Sequence, residues 1–228
     1  MTRVGRIASL TTWPVKSLGG STAHAAVHAD EHGLAGDRRH AVSLTPPTAL
    51  SARKAPGLLR WSAADGPAEP LVTGPDGRSW SWSEPGLAEA LGADLERPVQ
   101  LLHHPAGCQD LPLSVLVTTA ASHRAVEAAW GSRLEPSRWR TNLHLDGDLP
   151  PLAEHGWEGR RLLVGDVVLR LLHPCKRCTI PTYAPGGLAR SPDLLRFFSR
   201  GEHAGPFGIN ARVEVPGVLE RGAPVVLD

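Results

Sequence analysis

Two of the three cysteines of this 228-residue chain stand three residues apart in His173-Pro174-Cys175-Lys176-Arg177-Cys178-Thr179-Ile180-Pro181, with two cations between them. A C-x-x-C pair can be a redox dithiol, half of a zinc site, two packed thiols at a strand end, or a loop that presents one thiolate to a soft metal. A thioredoxin-type dithiol lowers its thiol pKa at a helix N-terminus, and the residues after Cys178, TIPTYAPGG, are unsuited to begin a helix. Structural zinc usually takes two short-spaced ligand pairs, and no second C-x-x-C is present. Two readings remain open: packed thiols, or a thiolate favoured by Lys176 and Arg177 and suited to a thiophilic metal. Cys108 stands alone and reads as a small buried hydrophobe.

Other residues carry chemistry of a different kind. WPVKSLGG places Lys16 and Ser17 in a turn after a strand, and GLAGDRRH places Arg38 at the start of the next strand. Two cations and a hydroxyl beside glycine turns can hold a phosphate, although solvated turns have the same composition. In SRWRTNLHLDG the alternation of Arg138, Arg140 and Asn142 predicts one shared strand face. That face is either a solvated surface or a planar fork beside an amide, equipment for a heterocycle or a phosphate. HADEH, residues 28–32, has no familiar metal-site spacing and reads as a solvated loop. P-loop, G-x-G-x-x-G, H-E-x-x-H and G-x-S-x-G motifs are absent, which disfavours the common nucleotide-binding, zinc-protease and serine-hydrolase classes.

The elements that must position these residues are mostly strands. Short alternating or β-branched runs cover Arg3–Trp13, Ser21–Val27, Arg38–Leu44, Ser79–Trp82, Pro98–Leu102, Leu113–Thr118, Arg160–Leu172, Phe207–Val215 and Pro224–Leu227. Apolar spacings of three and four predict helices only over Pro85–Leu95, Thr119–Trp130 and Pro192–Phe198. With 24 Gly and 21 Pro punctuating the chain, the expected class is mainly β: a β-barrel with a few packed helices, plus an N-terminal β-rich region. The strand pattern pauses near Leu102–Gln109, which suggests an N-terminal region over 1–104 and a second domain over 105–228. Lys plus Arg number 24 against 23 acidic residues, spread along the chain, so neither nucleic acid nor a membrane is an expected partner. With no apolar leader and an odd number of cysteines, the expected compartment is cytoplasmic.

Five segments taken in order, WPVKSLGG, GLAGDRRH, RWRTNL, WEGRRLLVGDVVLRLLHPCKRC and GPFGINARVEVPGVLERGAPV, resemble the molybdenum cofactor sulfurase C-terminal (MOSC) domain family with its N-terminal β-barrel extension. The pattern is similar to that of the mitochondrial amidoxime-reducing component and its bacterial relatives. The resemblance implies a molybdenum cofactor, Mo-molybdopterin, ligated by the second cysteine of the C-x-R-C segment, Cys178, as metal ligand and catalytic centre. It implies that Lys16, Ser17, Arg38, Arg140 and Asn142 hold the pterin and its phosphate, with Thr119 and Ser122 of TTAAS as a phosphate seat at a helix N-terminus. Pyridoxal phosphate binding is not expected. The implied activity is reduction of small N-hydroxylated or N-oxygenated substrates. An iron–sulfur cluster normally needs four cysteines and this chain has three, so the electrons are expected from a separate donor of cytochrome b5, ferredoxin or flavoprotein-reductase type. The alternative is a cofactor or sulfur carrier acting through a Cys178 persulfide. Three positions depart from the family pattern: Thr141 for a usual proline, and Ala184 and Ala223 where acidic residues are common.

Overall fold

A computed structural model describes residues 1–109, 115–199 and 205–228. Seven strands close into a barrel in the order Thr2–Thr12, Leu143–Asp146, Val115–Thr119, Ile209–Val215, Val167–Pro174, Arg161–Val164 and Pro224–Leu227, returning to the first. Only the pairing of Val115–Thr119 with Leu143–Asp146 is parallel. The first strand closes the ring because it pairs antiparallel with Leu143–Asp146 on one edge and with Pro224–Leu227 on the other. Its buried apolar residues, Val4, Ile7 and Leu10, come every third position, a spacing no flat strand gives. Two register shifts, between Arg3 and Gly5 and between Ile7 and Ser9, reset the alternation so that all three face the core. Apart from Trp157 that core is aliphatic, with Ile7, Leu10, Leu143, Leu145, Leu162, Leu169 and Ile209 fully buried.

A second core gathers the N-terminal half around Trp61, Trp80 and Trp82, the helix Leu87–Asp94, and two three-stranded sheets. A third, mostly aromatic, packs Trp139, Phe198 and Phe207 against Val126 of the helix Ala120–Trp130 and Leu194 of the helix Pro192–Ser199. All three predicted helices form. Among the described residues none is long and apolar enough to cross a membrane.

Several boundaries differ from the sequence reading, each for a local reason. Arg160–Leu172 is a hairpin, not one strand: Arg161–Val164 and Val167–Pro174 meet at Gly165-Asp166, where Gly165 takes φ +56°. Ser21–Val27 breaks at Ala25, because Thr22–His24 pairs with the first strand while Ala26–Asp30 pairs with Gly217–Glu220. HADEH is therefore half strand, with Asp30 closing the strand and His32 N–H bonded to its carboxylate. Residues 113–114 of the expected Leu113–Thr118 strand lie outside the described residues.

Gly5 at φ +136° lies so close to Asp146 that a Cβ would overlap its carbonyl oxygen. Gly5→Ala is expected to lower unfolding free energy by about 1–3 kcal/mol. Gly156→Ala, where a Cβ meets nothing within 4 Å, is expected to change it by less than about 0.5 kcal/mol. Urea denaturation of the two variants checks the contrast.

Candidate functional site

A cleft of about 850 Å³ opens between the barrel and the tryptophan-rich half, and both cysteines of the C-x-x-C pair line it. Its floor is built by three turns. The first strand runs out through Trp13 and Pro14 into Lys16 and Ser17; Lys16 N–H donates to His40 O at 2.8 Å, and Gly19 N–H to Trp61 O at 2.7 Å. The second turn carries Asp37 and Arg38. The third carries Arg138, Trp139 and Arg140, the first two within a single 3-10 turn, Pro136–Trp139. Among the described residues five that are not glycine take positive φ, and three of them are Ser17, Arg38 and Arg140, at 70°, 50° and 55°. Left-handed backbone at non-glycine residues is strained and persists where the surroundings enforce it, so strain concentrates at this cleft.

The predicted shared strand face of Arg138, Arg140 and Asn142 does not exist. Arg138 is in the 3-10 turn, Arg140 is its left-handed cap, and the strand begins only at Leu143. The two arginines reach the cleft by the turn. Asn142 is buried beneath it and bonded to the chain: its Oδ1 accepts from Leu116 N–H at 3.0 Å and from Arg38 Nη1 at 3.4 Å, and its Nδ2 donates to Thr11 O at 3.1 Å. Arg38 likewise is not the start of a strand. From its turn it donates to Asp37 at 2.6 Å and to Arg140 O at 3.1 Å, while still lining the cleft.

The cysteine loop is fixed through its backbone. Pairing between Val167–Pro174 and Ile209–Val215 shifts register between Leu171 and Pro174. Beyond the shift, Cys175 N–H donates to Gly208 O at 2.8 Å and Phe207 N–H to Cys175 O at 3.0 Å. Gly208 is required there: at φ +76°, a Cβ would come within 2.7 Å of Val117 O. The two cations between the cysteines part company. Lys176 is exposed, whereas Arg177 turns inward, its Nη1 3.2 Å from Cys175 Sγ, its Nη2 donating to Trp139 O at 3.1 Å, and its guanidinium 5.6 Å above the Trp139 ring. Arg138 Nη1 holds the following segment by donating to Pro181 O at 3.0 Å and Tyr183 O at 2.8 Å. Cys178 is left partly buried in the same wall, and the guanidinium of Arg177 meets Cys175 Sγ.

Thr119 and Ser122 are elsewhere. Both are buried outside the cleft lining, with Thr119 capping the helix Ala120–Trp130 by accepting from Ser122 N–H at 3.1 Å. The anion at this helix N-terminus is the chain's own: Glu154, wholly buried, accepts from Ser122 Oγ at 2.7 Å and from Thr119 Oγ1 at 3.3 Å. A carboxylate answers the positive end of the helix dipole, so a phosphate has no place there. Conversely, Ser51 and Arg53 line the cleft although no motif singled them out. Their segment is tied to the first turn by Ala52 N–H, which donates to Ser17 Oγ at 3.0 Å.

Lys16, Arg38, Arg53, Arg138, Arg140, Lys176 and Arg177 give the lining seven cations against one carboxylate, Glu158. Burial, then the neighbouring Arg38, pushes the Arg140 guanidinium down to about 9, with Asp37 and Cys178 pulling the other way, so it remains a cation at neutral pH. Arg177 Nε and Arg140 Nη2 are buried donors with no acceptor. A soft sulfur, a surplus of fixed positive charge and donors awaiting acceptors fit an anionic, sulfur-ligated cofactor. No cluster of three or more His, Cys, Asp or Glu capable of holding a metal alone occurs among the described residues, so a metal here would rely on ligands brought with it. The thiol of Cys108, 3.7 Å from Arg39 O, is pushed up by burial despite Lys16 and Arg39 and takes no part in the lining.

Comparison with known proteins adds the following. The model of the MOSC domain family matches residues 112–226. The YUAD protein from Bacillus subtilis superposes over 98% of this chain and 95% of its own, with a TM-score of 0.55 at 13% identity, a likeness of fold. YiiM from Geobacillus stearothermophilus covers 50% of this chain and 53% of its own, at 23% identity and a TM-score of 0.39. No curated protein matches the sequence.

Two measurements probe the frame around the cleft. Glu154→Ala removes the shared carboxylate acceptor of two buried hydroxyls, which keep their bond to one another, and is expected to cost about 1–3 kcal/mol in urea denaturation. His40, whose carbonyl anchors Lys16, has its imidazole pushed down to about 4 by burial and then by His103. The unfolded chain therefore binds this proton at a higher pH than the native one, and the contribution is destabilising on acidification. NMR should find His40 neutral at pH 6, and its contribution to stability should decline as pH falls from about 6.5 towards 4.

Proposed function

The chain belongs to the MOSC domain family, and on that footing we propose that it binds Mo-molybdopterin in the cleft and reduces small N-hydroxylated substrates with electrons from a separate protein. The observation that carries the reading is Cys178, a partly buried thiol in a wall whose cations outnumber its carboxylates seven to one. When bound, the cofactor would supply two-electron oxygen-atom chemistry at molybdenum, with Cys178 sulfur as the protein ligand. Lys16, Ser17, Arg38, Arg140 and Arg177 are the residues that would hold it, the four cations by neutralising its anionic groups and Ser17 by its hydroxyl. Thr119 and Ser122, bonded to Glu154, are not among them. Asn142 acts one layer down, keeping Arg38 in place.

The residues that do the holding are already committed to fixed geometry. Arg38 is clamped by Asp37, Arg177 by Cys175 and the Trp139 carbonyl, and Arg140 by the Leu18 carbonyl and the Trp13 ring. A site so arranged needs little reorganisation when charge arrives or leaves. The overall reaction, R–NH–OH plus two electrons and two protons to R–NH2 and water, needs a reductant. Three cysteines fall short of the four that an iron–sulfur cluster normally takes, which is the reason for assigning the electrons to a separate donor.

In protein from a molybdate-supplied host, metal analysis should find stoichiometric molybdenum in the wild type, none in Cys178→Ala and retention in Cys175→Ala, with unchanged circular dichroism throughout. Reduction of an amidoxime by an artificial donor should follow the metal. Stoichiometric cofactor or a persulfide without any reduction would replace this reading with a carrier. Full activity in Cys178→Ala would end it.

A further inference from the structure

The outside of the barrel is unevenly polar. Strand register sets Val226 opposite Leu163, Leu163 opposite Val168 and Val168 opposite Val215, one aliphatic row across four strands. Val225 and Leu227, Leu162 and Val164, Val167 and Leu169 all point into the core, so their neighbours in the row face outward. Val215 is 42% exposed, and the chain continues through Pro216 and Gly217 to Val218, 55% exposed. Single exposed aliphatic residues are ordinary on a surface, whereas a contiguous set marks a contact. The borders of the row carry opposite charge. On one side a second row sets Arg161 opposite Arg170 and Arg170 opposite Arg212. Like charges directly opposite across strands are unfavourable, and one carboxylate, Glu214, answers two of the three: Arg161 Nε at 2.9 Å and Arg170 Nη2 at 3.1 Å. Arg212 is exposed, and its side chain has no partner among the described residues. On the other side Asp166, two residues before Val168 at the hairpin tip, is likewise exposed and without a side-chain partner among them.

We propose that this face binds a second copy of the chain across a two-fold axis, sheet on sheet. A face with an apolar centre and borders of opposite sign is complementary to itself in one orientation. An axis running along the aliphatic row lays row on row and brings each Asp166 over the arginine border of its mate, where Arg212 is still unanswered. An axis at right angles to the row would set arginine against arginine, so charge selects the first arrangement. Arg3, next to Val226 in the same row, ends it at the edge and confines the apolar contact to four strands. The cleft stays open in such a dimer. Val168 stands six positions before Pro174, which lines the cleft, a separation of roughly 20 Å along a strand. The interface is therefore independent of the chemistry proposed for the cleft, and neither reading falls with the other.

Sedimentation equilibrium of the purified full chain at about 100 μM, a concentration that saturates a micromolar interface, should return twice the mass of one chain. Val168→Glu, which places a charge in the middle of the row on the outer face of the barrel, should return the mass of one chain with unchanged circular dichroism. Asp166→Arg and Arg212→Asp, each of which sets like charges against each other, should weaken association by about 10-fold or more. The double variant Asp166→Arg/Arg212→Asp exchanges the two borders and should recover the wild-type association constant to within about 3-fold. That recovery is the decisive result, because a loss of folding in either single variant would not be repaired by the second substitution. A wild type that remains a single chain at this concentration overturns the proposal, whatever other protein it binds. So does a dimer indifferent to both single charge reversals, or a double variant as weak as the two singles.

Discussion

Asp37 and Arg38 form the knot on which the cleft depends. Asp37 is almost completely buried, takes the Trp13 N–H at 2.8 Å and bonds Arg38 Nη1 at 2.6 Å. Arg38 in turn returns its own N–H to Trp13 O at 2.8 Å and reaches Arg140 O and Asn142 Oδ1. One ion pair thus ties the exit of the first barrel strand to the turn that carries Arg140, and through Asn142 to the Val115–Thr119 strand. Removing either partner of such a pair leaves an uncompensated buried charge, which typically costs about 3–5 kcal/mol. Here the loss would also loosen the turns that carry Arg38 and Arg140.

Seven cations in one lining repel one another, and the chain restrains them with neutral acceptors more than with acids. The carbonyls of Leu18, Trp139, Pro181 and Tyr183 each take an arginine N–H. Carbonyl dipoles fix a guanidinium's direction without cancelling its charge, so the positive potential of the cleft survives. At the N-terminus of the helix Ala120–Trp130, by contrast, Glu154 neutralises the helix dipole outright. The two solutions divide the molecule: positive charge is cancelled where it is structural and kept where a ligand would meet it.

The C-x-x-C pair illustrates how little two identical side chains need share. Cys175 is held by its backbone on Phe207 and Gly208, and its sulfur meets Arg177. Cys178, one turn of chain later, shares the cleft wall with Arg140, whose charge it helps to sustain. A left-handed glycine and a register shift between two barrel strands set this asymmetry, and neither is a property of the pair itself.

The β-branched runs and the three helices were legible in the sequence because both patterns are local: side-chain alternation and three-to-four spacing act within one element. The turn residues Lys16, Ser17 and Arg38 and the pair Cys175 and Cys178 were legible as chemical types, since glycine turns and a C-x-x-C spacing stand out in any context. Their assembly was not. Arg38 finds Arg140 across 102 residues and Arg140 finds Leu18 across 122, and nothing periodic announces contacts at that distance. Alternation put Asn142 beside Arg140 on one face, whereas the left-handed backbone at Arg140 sends one to the cleft and the other beneath it. The same limit hid Ser51 and Arg53, and it made a phosphate seat of Thr119 and Ser122 until Glu154, more than 30 residues away, proved to fill it. Residue types and local periods belong to the sequence; which charges meet, and which are left unanswered, is decided only when the barrel closes.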